Sequence, residues 1–430
     1  AVTLGSNTTV DTNSSDTTGD ITIGAVTGGS NSLTLSTGDN VANTDISASG
    51  AISGVTTLTL NDVGGIATLS ADVDVTTLSV DNTVANVAFT GNGSSVTNAV
   101  SFANDGTLTL GQDGGTQTYN AGLTTTSVGG TVTLNGTIAT SDDAVVLGAV
   151  TLGSNTTIDT NSTTTNRADI TIAAVTGGSN TLTLTTENNI ANADVTASGA
   201  ISGVTTLTLA SVGGTATLSA DVDVTTLSVD NTVANVIFNG SSNTFTNAVT
   251  FTNDGTLTFG DATGDSFTFN GGLTASSVGG TVTLNTSISS SNDALTFGAI
   301  AFTGNGSSVT NSFTPANDGT FVFGASGGTQ TYNAGLTTTS VGGTVTLNGT
   351  IATSDDAVVL GAVTLGSNVT IDTNSTTTNR ADITIAAVTG GSNTLTLTTE
   401  NNVTGSDITA SGAISGVTTL TLASVGGTAT

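Results

Sequence analysis

The sequence predicts an all-β protein, a single-stack parallel β-helix (β-solenoid) with about 21 residues per coil and roughly 20 coils. Three observations predict it. Apolar residues alternate with Thr and Ser, long stretches recur almost letter for letter, and Gly, Asn and Asp interrupt the chain at regular intervals. The alternation indicates strands, the recurrence indicates a repeat array, and the interruptions set the length of the repeating unit.

The strands are predicted from runs such as TLTL, TVTL and ITI, in which β-branched residues dominate. This composition is typical of a pleated, half-buried strand with Thr on the solvent face and Val, Leu or Ile on the core face. Internal copies agree with that orientation. Leu108 is replaced by Leu257 and Phe321, and Ile46 by Val195, so apolar positions exchange only with apolar ones, as a core face requires.

The repeats extend over the whole chain. The segment AISGVTTLTL stands at 51–60, 200–209 and 413–422, and residues 88–217 reappear at 301–430, an offset of 213. A second offset, 149, relates shorter stretches such as SADVDVTTLSVDNTVANV at 70–87 and 219–236. We therefore predict one continuous repetitive β-solenoid over residues 1–430. We also expect it to be uncapped at both ends and to be a fragment of a longer array, because the terminal segments match sequence inside the repeats.

A recurrent VGG motif supplies the length of the coil. Its Val residues stand at 63, 128, 212, 278, 341 and 425. The gaps between them are close to three or four units of about 21 residues, and the offsets 149 and 213 are close to seven and ten units. Gly-Gly and Asn-Asp-Gly segments supply the positive φ angles that corners between strands need.

The composition excludes several classes of function. The 430 residues include no Cys, no His and only two basic residues, against 31 acidic ones, for a formal charge of −29. The chain therefore has no disulfide, no thiol nucleophile and no imidazole base. Nucleic acid is a poor partner because phosphate must be met by positive charge, and no apolar run is long enough for a transmembrane helix. We predict no enzyme activity, no catalytic, cofactor-binding or metal site, and no cofactor.

Surface carboxylates are the strongest candidates for a site. Asp72 and Asp74 alternate with Val, as do Asp221 and Asp223, so the two carboxylates of each pair should lie on one face about 7 Å apart. Such a pair suits Ca²⁺ binding or glycosidase-type catalysis. A solvated face that keeps an acidic protein soluble explains the pattern more simply.

Adjacent carboxylates also stand in two identical TSDDAVV turns, at Asp142-Asp143 and Asp355-Asp356. The third version of this turn has Asn292-Asp293, which is one charge weaker and argues against a strict ligand set. Weak Ca²⁺ bridging between surface Asp residues of neighbouring molecules stays open as an alternative.

The two Arg residues occupy equivalent NRAD turns. Arg167 precedes Asp169 and Arg380 precedes Asp382, so a local charge pair explains each Arg. The alternative is a lyase base of the kind found in β-helical enzymes that act on polysaccharides, and the duplication of the turn argues against it because an active site is normally unique.

Two further features invite a functional interpretation. Outward Thr-x-Thr pairs suggest an ice-binding face, namely Thr107/Thr109, Thr131/Thr133 and Thr181/Thr183. Eleven of the 13 Phe lie between 238 and 323, which indicates a thicker core there. Pro315, which replaces Ala103 of the earlier copy, is predicted at a corner or bulge.

The VGG punctuation, the Thr/Val/Leu alternation, the coil length and the lack of Cys resemble giant bacterial surface proteins of the filamentous-haemagglutinin and autotransporter-passenger type. That resemblance implies a right-handed β-helix, export across a Gram-negative envelope and an extracellular location at the cell surface. It further implies the shaft of a filament or giant adhesin that mediates cell–cell or cell–surface contact or matrix (biofilm) formation. The implied partners are other copies, in fibres or bundles, and neighbouring cells or surface glycans. A carbohydrate-binding or carbohydrate-cleaving β-helix is the main alternative, and an ice-binding solenoid a weaker one.

Overall fold

The computed structural model describes residues 1–12, 19–38, 41–160, 168–186, 191–262, 264–291, 293, 295–297, 300–302, 306–315, 320–373, 380–399 and 404–430. In these residues the protein is all-β, without a helix, and parallel stacked coils form a β-solenoid of about 16 turns with about 23 residues per turn. The predicted fold class is confirmed. None of the described residues forms a helix that is long and apolar enough to cross a membrane.

The chain forms two compact units, Ala1–Asn235 and Val236–Thr430. The strands of the first unit are β1 Val2–Thr3, β2 Thr8–Asp11, β3 Ile21–Ile23, β4 Val26–Ser36, β5 Ile46–Ala48, β6 Ile52–Asn61, β7 Val63–Leu69, β8 Val73–Val80, β9 Val84–Phe89, β10 Ser95–Val96, β11 Val100–Ser101, β12 Leu108–Leu110, β13 Thr116–Tyr119, β14 Leu123–Thr124, β15 Val132–Thr140, β16 Val145–Leu147, β17 Val150–Asp159, β18 Ile170–Ile172, β19 Val175–Thr176, β20 Thr181–Thr185, β21 Val195–Ala197, β22 Ile201–Ala210, β23 Thr215–Leu218 and β24 Val222–Val229.

The remaining strands are β25 Asn235–Phe238, β26 Ser242–Phe245, β27 Val249–Thr250, β28 Leu257–Phe259, β29 Ser266–Phe269, β30 Leu273–Ala275, β31 Val282–Leu284, β32 Ser287–Ser290, β33 Leu295–Phe297, β34 Ile300–Phe302, β35 Ser307–Val309, β36 Phe321–Phe323, β37 Thr329–Tyr332, β38 Leu336–Thr337, β39 Val345–Thr353, β40 Val358–Asp372, β41 Ile383–Thr389, β42 Thr394–Thr398, β43 Ile408–Ala410, β44 Ile414–Ser415 and β45 Thr419–Ala423.

The coils of the first unit stack in three rows of parallel strands. Row 1 runs through Ile21, Ile46, Ala67, Val87, Leu108, Val132, Val150, Val175, Ile201 and Val222. Row 2 begins at Val2 and reaches Val229, and row 3 begins at Thr8 and reaches Ala216. The chain therefore visits the three rows once per coil, and long strands such as β6 and β15 serve two rows.

Inward side chains of the rows form the core. The alternation of β15 is typical, because its odd-numbered residues are half-buried while Val132, Leu134 and Ile138 are at most 2% exposed. In the second unit the core contains stacked rings, such as Phe245 on Phe269 at 4.9 Å between centroids. The Phe residues of this stretch thus stack in the core, and a thicker core there stays a prediction.

The coils are longer and more variable than predicted. Register partners on successive coils mark the length of one coil. One coil runs from Val132 to its partner Val150, and another runs from Thr156 to its partner Leu182, which is a longer stretch of chain. The longer coil includes residues 161–167, which lie outside the described residues. The predicted coil length of about 21 residues is too short, and the predicted number of roughly 20 coils is too large. The described residues form about 16 turns of about 23 residues each.

Copies of one motif lie in different rows of the first unit. Ile46 belongs to row 1, while its copy Val195 pairs within row 3. Each coil contributes one segment to each of the three rows. From Ile46 to Val195 the chain advances by twenty such segments, which makes six and two-thirds coils. The expectation that this offset makes seven whole coils is wrong by one row. Each repeat thus presents its motif on the neighbouring face of the solenoid. The right-handed sense and the single continuous solenoid stay predictions.

Close approach of successive coils explains one recurrent glycine. A Cβ built on Gly177 would lie 2.4 Å from the carbonyl oxygen of Gly203 on the next coil. We expect Gly177→Ala to lower the free energy of unfolding by more than about 1 kcal/mol, because the backbone of two coils must separate. Gly24→Ala is the control, since a Cβ there meets nothing within 4 Å. Urea unfolding of both variants measures the difference, and equal midpoints would refute the close approach.

Candidate functional site

The surface carboxylates accept hydrogen bonds from the backbone of the next coil. Asp20 Oδ1 accepts from the Asp45 amide at 2.9 Å, and Asp45 Oδ1 accepts from the Ile66 amide at 2.8 Å. Asp74, one member of a predicted pair, accepts from the Ser95 amide at 3.1 Å. These Asp residues replace a backbone acceptor at a corner, so they join coils to one another.

The two members of each predicted Asp pair lie in different surroundings. Asp74 is exposed on β8 and Asp223 is exposed on β24. Asp72 and Asp221 lie immediately before these strands and are half-buried. Each pair therefore combines a strand carboxylate with a corner carboxylate.

The carboxylates of the TSDDAVV turns lie at corners. Asp142 and Asp355 occupy the left-handed region, with φ of 65° and 66°. In the second copy Thr353 Oγ1 donates to the Asp356 carbonyl at 2.6 Å, and Asn292 of the third version lies outside the described residues. In the described part of the chain no three His, Cys, Asp or Glu side chains gather as metal ligands would. Weak Ca²⁺ bridging between molecules stays a prediction.

Arg380 joins two successive coils. Its Nε donates to Asp382 Oδ1 at 3.0 Å, and one terminal nitrogen donates to Asp407 Oδ2 at 2.8 Å. The hydrogen bond with Asp382, and then the charge of that carboxylate, raise the pKa of the guanidinium. The predicted local charge pair is confirmed for Arg380, while Arg167 lies outside the described residues.

Outward Thr residues of successive coils stack in columns (files) along the rows, but these columns are interrupted by other residues. In row 1 Thr109, Thr133 and Thr151 are in register. The file is interrupted by Ala88 on one side and by Ser202 on the other. A Thr-x-Thr face would need two unbroken adjacent files, so this arrangement gives no support to an ice-binding face.

A buried polar network was not predicted from the sequence. Gln117 is 0% exposed, and its Nε2 donates to the carbonyl oxygens of Phe89 at 2.8 Å and Gly91 at 3.2 Å. Its Oε1 accepts from the Tyr119 hydroxyl at 3.0 Å. The same network recurs at Gln330 and Tyr332. The signal was the segment TQTY, which occurs twice although Gln and Tyr are rare in the chain.

A cleft of about 640 Å³ opens between two successive coils of the second unit. We call it the seam. Its N-terminal lip is Ser287–Ser290 with Leu295–Phe297, and its C-terminal lip is Ser308–Pro315. Pro315 follows the last paired residue of that lip and lies outside the strands, as a corner residue does.

The seam lacks the pairing that joins other coils. β31 pairs with β34 through Val282↔Ile300, so one row is continuous across this level. β32 pairs only with β29 on its other side, and β35 pairs only with β37. Among the described residues no ladder joins β32 to β35, or β33 to the segment around Phe313, although several Cα atoms of β32 and β35 lie within 8 Å of each other. Two of the three rows are therefore interrupted.

The N-terminal lip exposes apolar residues that are buried elsewhere. Ile288 and Leu295 are half-buried, whereas the equivalent Ile138 and Val145 are 0% exposed. In the first unit Ile138 is covered by Ile158 of the following coil.

The C-terminal lip shows the same difference. Val309 and Phe313 are half-buried, whereas the equivalent Val96 and Val100 are 1% and 3% exposed. In the first unit Val96 lies on Val75 of the preceding coil. Within the two lips, Ile288, Leu295, Val309 and Phe313 thus form an apolar strip, and Ser, Thr and Asn line its rims.

The sequence explains why the seam opens. Residues 281–300 match 131–150, but residues 301–311 match 88–98 instead of the segment that comes after 150. The junction therefore places a coil on a surface it does not meet elsewhere. In addition, Thr286 stands where the earlier copy has Gly136. The φ of Gly136, 64°, allows a bulge in β15, and through this bulge β15 pairs with β17 along both rows.

The chain was compared with protein families, curated proteins and solved structures, and none of the three comparisons gave a match.

Proposed function

We propose that this chain is the structural shaft of an extracellular bacterial filament or giant adhesin. It would mediate cell–cell or cell–surface contact or matrix formation, without enzyme activity and without a cofactor. The observation that carries the proposal is the stacking in each unit. Rows of parallel strands join a coil to the coil before it and the coil after it, so a coil needs only its neighbours for stability. Such an array lengthens by adding coils, which is what a spacer requires.

The surface supports the same function. Outward positions are mostly Thr, Ser, Asn and Asp, and the formal charge of −29 keeps the surface solvated. The shift of one row places the two copies of this motif on different faces of the first unit, so the repeat does not dedicate one face to it. Sequence resemblance to giant surface proteins agrees with this proposal and adds the location at the cell surface and the self-association into fibres or bundles.

Duplication of a repeat tests the shaft. Inserting a second copy of residues 71–219 after Ser219 recreates at the new junction the sequence SAD that is already present. We expect the first unit to fold and to lengthen by six and two-thirds coils, or about 32 Å at about 4.8 Å per coil. A chain displayed between a surface anchor and an antibody epitope should then hold the epitope farther from the cell by that distance, as measured by electron tomography. An insert with scrambled order is the control.

An adhesion assay distinguishes a shaft from a binding module. A shaft should promote contact only with a binding domain at its tip, and the contact distance should grow with the insert. Binding of cells or glycans by the isolated chain, independent of its length, would contradict the proposal.

A further inference from the structure

We propose that the seam is a joint within the second unit, at which successive coils bend about one continuous row and close by pairing their two lips. This inference goes beyond the shaft function and does not depend on it. The structure holds the open state, in which no ladder of the described residues joins β32 to β35. In the closed state all three rows would be continuous at this level.

The continuous row is the axis of the joint. β31 pairs with β34, and β34 pairs with β36, so Val282, Ile300 and Phe321 form one column across the level of the seam. The row also belongs to the core, since Leu284 is 0% exposed and its register partner Phe302 is 6% exposed. A ladder with core contacts on one side of the coils keeps the two levels joined while the other two rows separate.

Each lip is held by the coils on its own side of the seam. On the N-terminal side β32 pairs with β29, and β33 pairs with β30. On the C-terminal side β35 pairs with β37, and Phe313 forms a bridge with Leu336. Several Cα atoms of β32 and β35 lie within 8 Å of each other, and neighbouring strands of a ladder are about 4.8 Å apart. A small rotation about the axis therefore suffices for pairing.

The register of the closed state follows from the columns of the second unit. Residues 307–313 are the copy of 243–249, and both segments contain Thr-Asn at the same place. Thr244 pairs with Thr268, which pairs with Ser289, so these outward residues form one column. Ser308 is the copy of Thr244, and closure therefore places Ser308 beside Ser289.

The same copy relation gives the second contact. Val249 pairs with Leu273, which pairs with Leu295, in the row that contains β33. Phe313 is the copy of Val249, so closure places Phe313 on Leu295. Both side chains are half-buried in the open state, and closing the seam would cover them.

Two features oppose closure. In the first unit Ile138 pairs with Ile158, whereas the closed register places the smaller Ser307 on the equivalent Ile288, so less apolar area is buried. In addition, Gly136 has a φ of 64° at the bulge that lets one strand follow both rows. Its equivalent, Thr286, does not have a positive φ. A β-branched residue rarely adopts that conformation, so the N-terminal lip is aligned less well for pairing.

Disulfide formation across the seam measures how often the lips meet. The chain has no Cys, so Ser289→Cys with Ser308→Cys places the only two thiols on opposite lips. The matched control is Thr268→Cys with Ser289→Cys, since these residues are register partners in paired strands. Under the same oxidant we expect the seam pair to form its intramolecular disulfide at least about tenfold more slowly, because the closed state is a minor one. Thr286→Gly should raise the rate of the seam pair and leave that of the control pair unchanged.

Hydrogen exchange gives a second readout that does not depend on Thr286→Gly. We expect the disulfide of the seam pair to slow amide exchange in residues 286–291 and 307–313 by at least about tenfold, because it suppresses opening of the joint. The disulfide of the control pair should leave exchange in residues 307–313 unchanged. Circular dichroism checks that each variant keeps its strands.

Four results would overturn the proposal. Equal rates for the seam pair and the control pair would mean that the lips are always paired. Failure of the seam pair to form a disulfide would mean that the lips never meet. An equal rate for the seam pair with Thr286 and with Gly at that position, or equal exchange in the two oxidised chains, would mean that no equilibrium between open and closed states exists at the seam.

Discussion

Raising the pH from about 9 to about 12 is expected to destabilise the protein through the charge of two side chains. The sequence holds two Tyr, no Cys, no His and, among basic residues, only two Arg, so Tyr119 and Tyr332 are the side chains that ordinarily titrate in this range. Burial raises the pKa of both hydroxyls well above 10.0. In the unfolded chain each Tyr loses its proton near pH 10.

The direction of the effect is set by linkage. Below pH 10 both states keep the tyrosine protons, and stability does not depend on them. Above pH 10 the unfolded chain ionises first, so the free energy of unfolding should fall by about 1.4 kcal/mol per pH unit for each buried Tyr, until the folded pKa is reached. Tyr119 belongs to the first unit and Tyr332 to the second, so each unit should lose stability through its own residue.

The ultraviolet band of tyrosinate measures this directly. It should appear together with the loss of the strand signal in circular dichroism, and not before it. Tyr119→Phe should flatten the pH dependence of the first unit. The variant also leaves Gln117 Oε1 buried without its donor, at a cost of about 1–3 kcal/mol at every pH, so the slopes and not the levels are to be compared. Tyrosinate that forms near pH 10 in folded protein would contradict the prediction.

Much of the fold could be predicted from the sequence. Alternation places Val132, Leu134 and Ile138 on the core face, and exchange between copies identifies the same positions. Strand period and apolar exchange are local properties, which the letters record directly. The NRAD turn likewise predicts the ion pair of Arg380 with Asp382, because the two residues stand close together in the chain.

Long-range arrangement was harder to predict. Recurring letters identify equivalent strands but not equivalent faces, so Ile46 and Val195 look alike although they lie in rows 1 and 3. Coil length is not set by the strand pattern, since coils of the same pattern differ in length. The seam depends on which coil meets which, because Ile138 is paired with a strand of the next coil, whereas no ladder of the described residues joins the equivalent Ile288 to the coil that follows it.

Replacing Phe259 by Ala is expected to cost about 3–5 kcal/mol of unfolding free energy. The ring is 0% exposed and lies among four other rings. It stacks on Phe238 at 5.6 Å with 12° between planes and meets the edges of Phe251 at 5.5 Å and Phe267 at 5.2 Å. Removal leaves a cavity that these rings cannot close without moving the coils, which backbone ladders such as Leu257↔Val282 hold in place.

Two controls separate the cavity from the loss of a strand residue. Phe259→Leu puts back the residue that the chain itself has at the equivalent Leu110, and it should recover part of the stability because an apolar side chain again fills the space. Thr258→Ala changes an outward residue of the same strand and should cost about 0.5 kcal/mol or less. Urea unfolding followed by circular dichroism gives the three values. If Phe259→Ala cost no more than Thr258→Ala, the aromatic stack would not be part of a close-packed core, and the Phe-rich stretch of the solenoid would have to be held by its ladders alone.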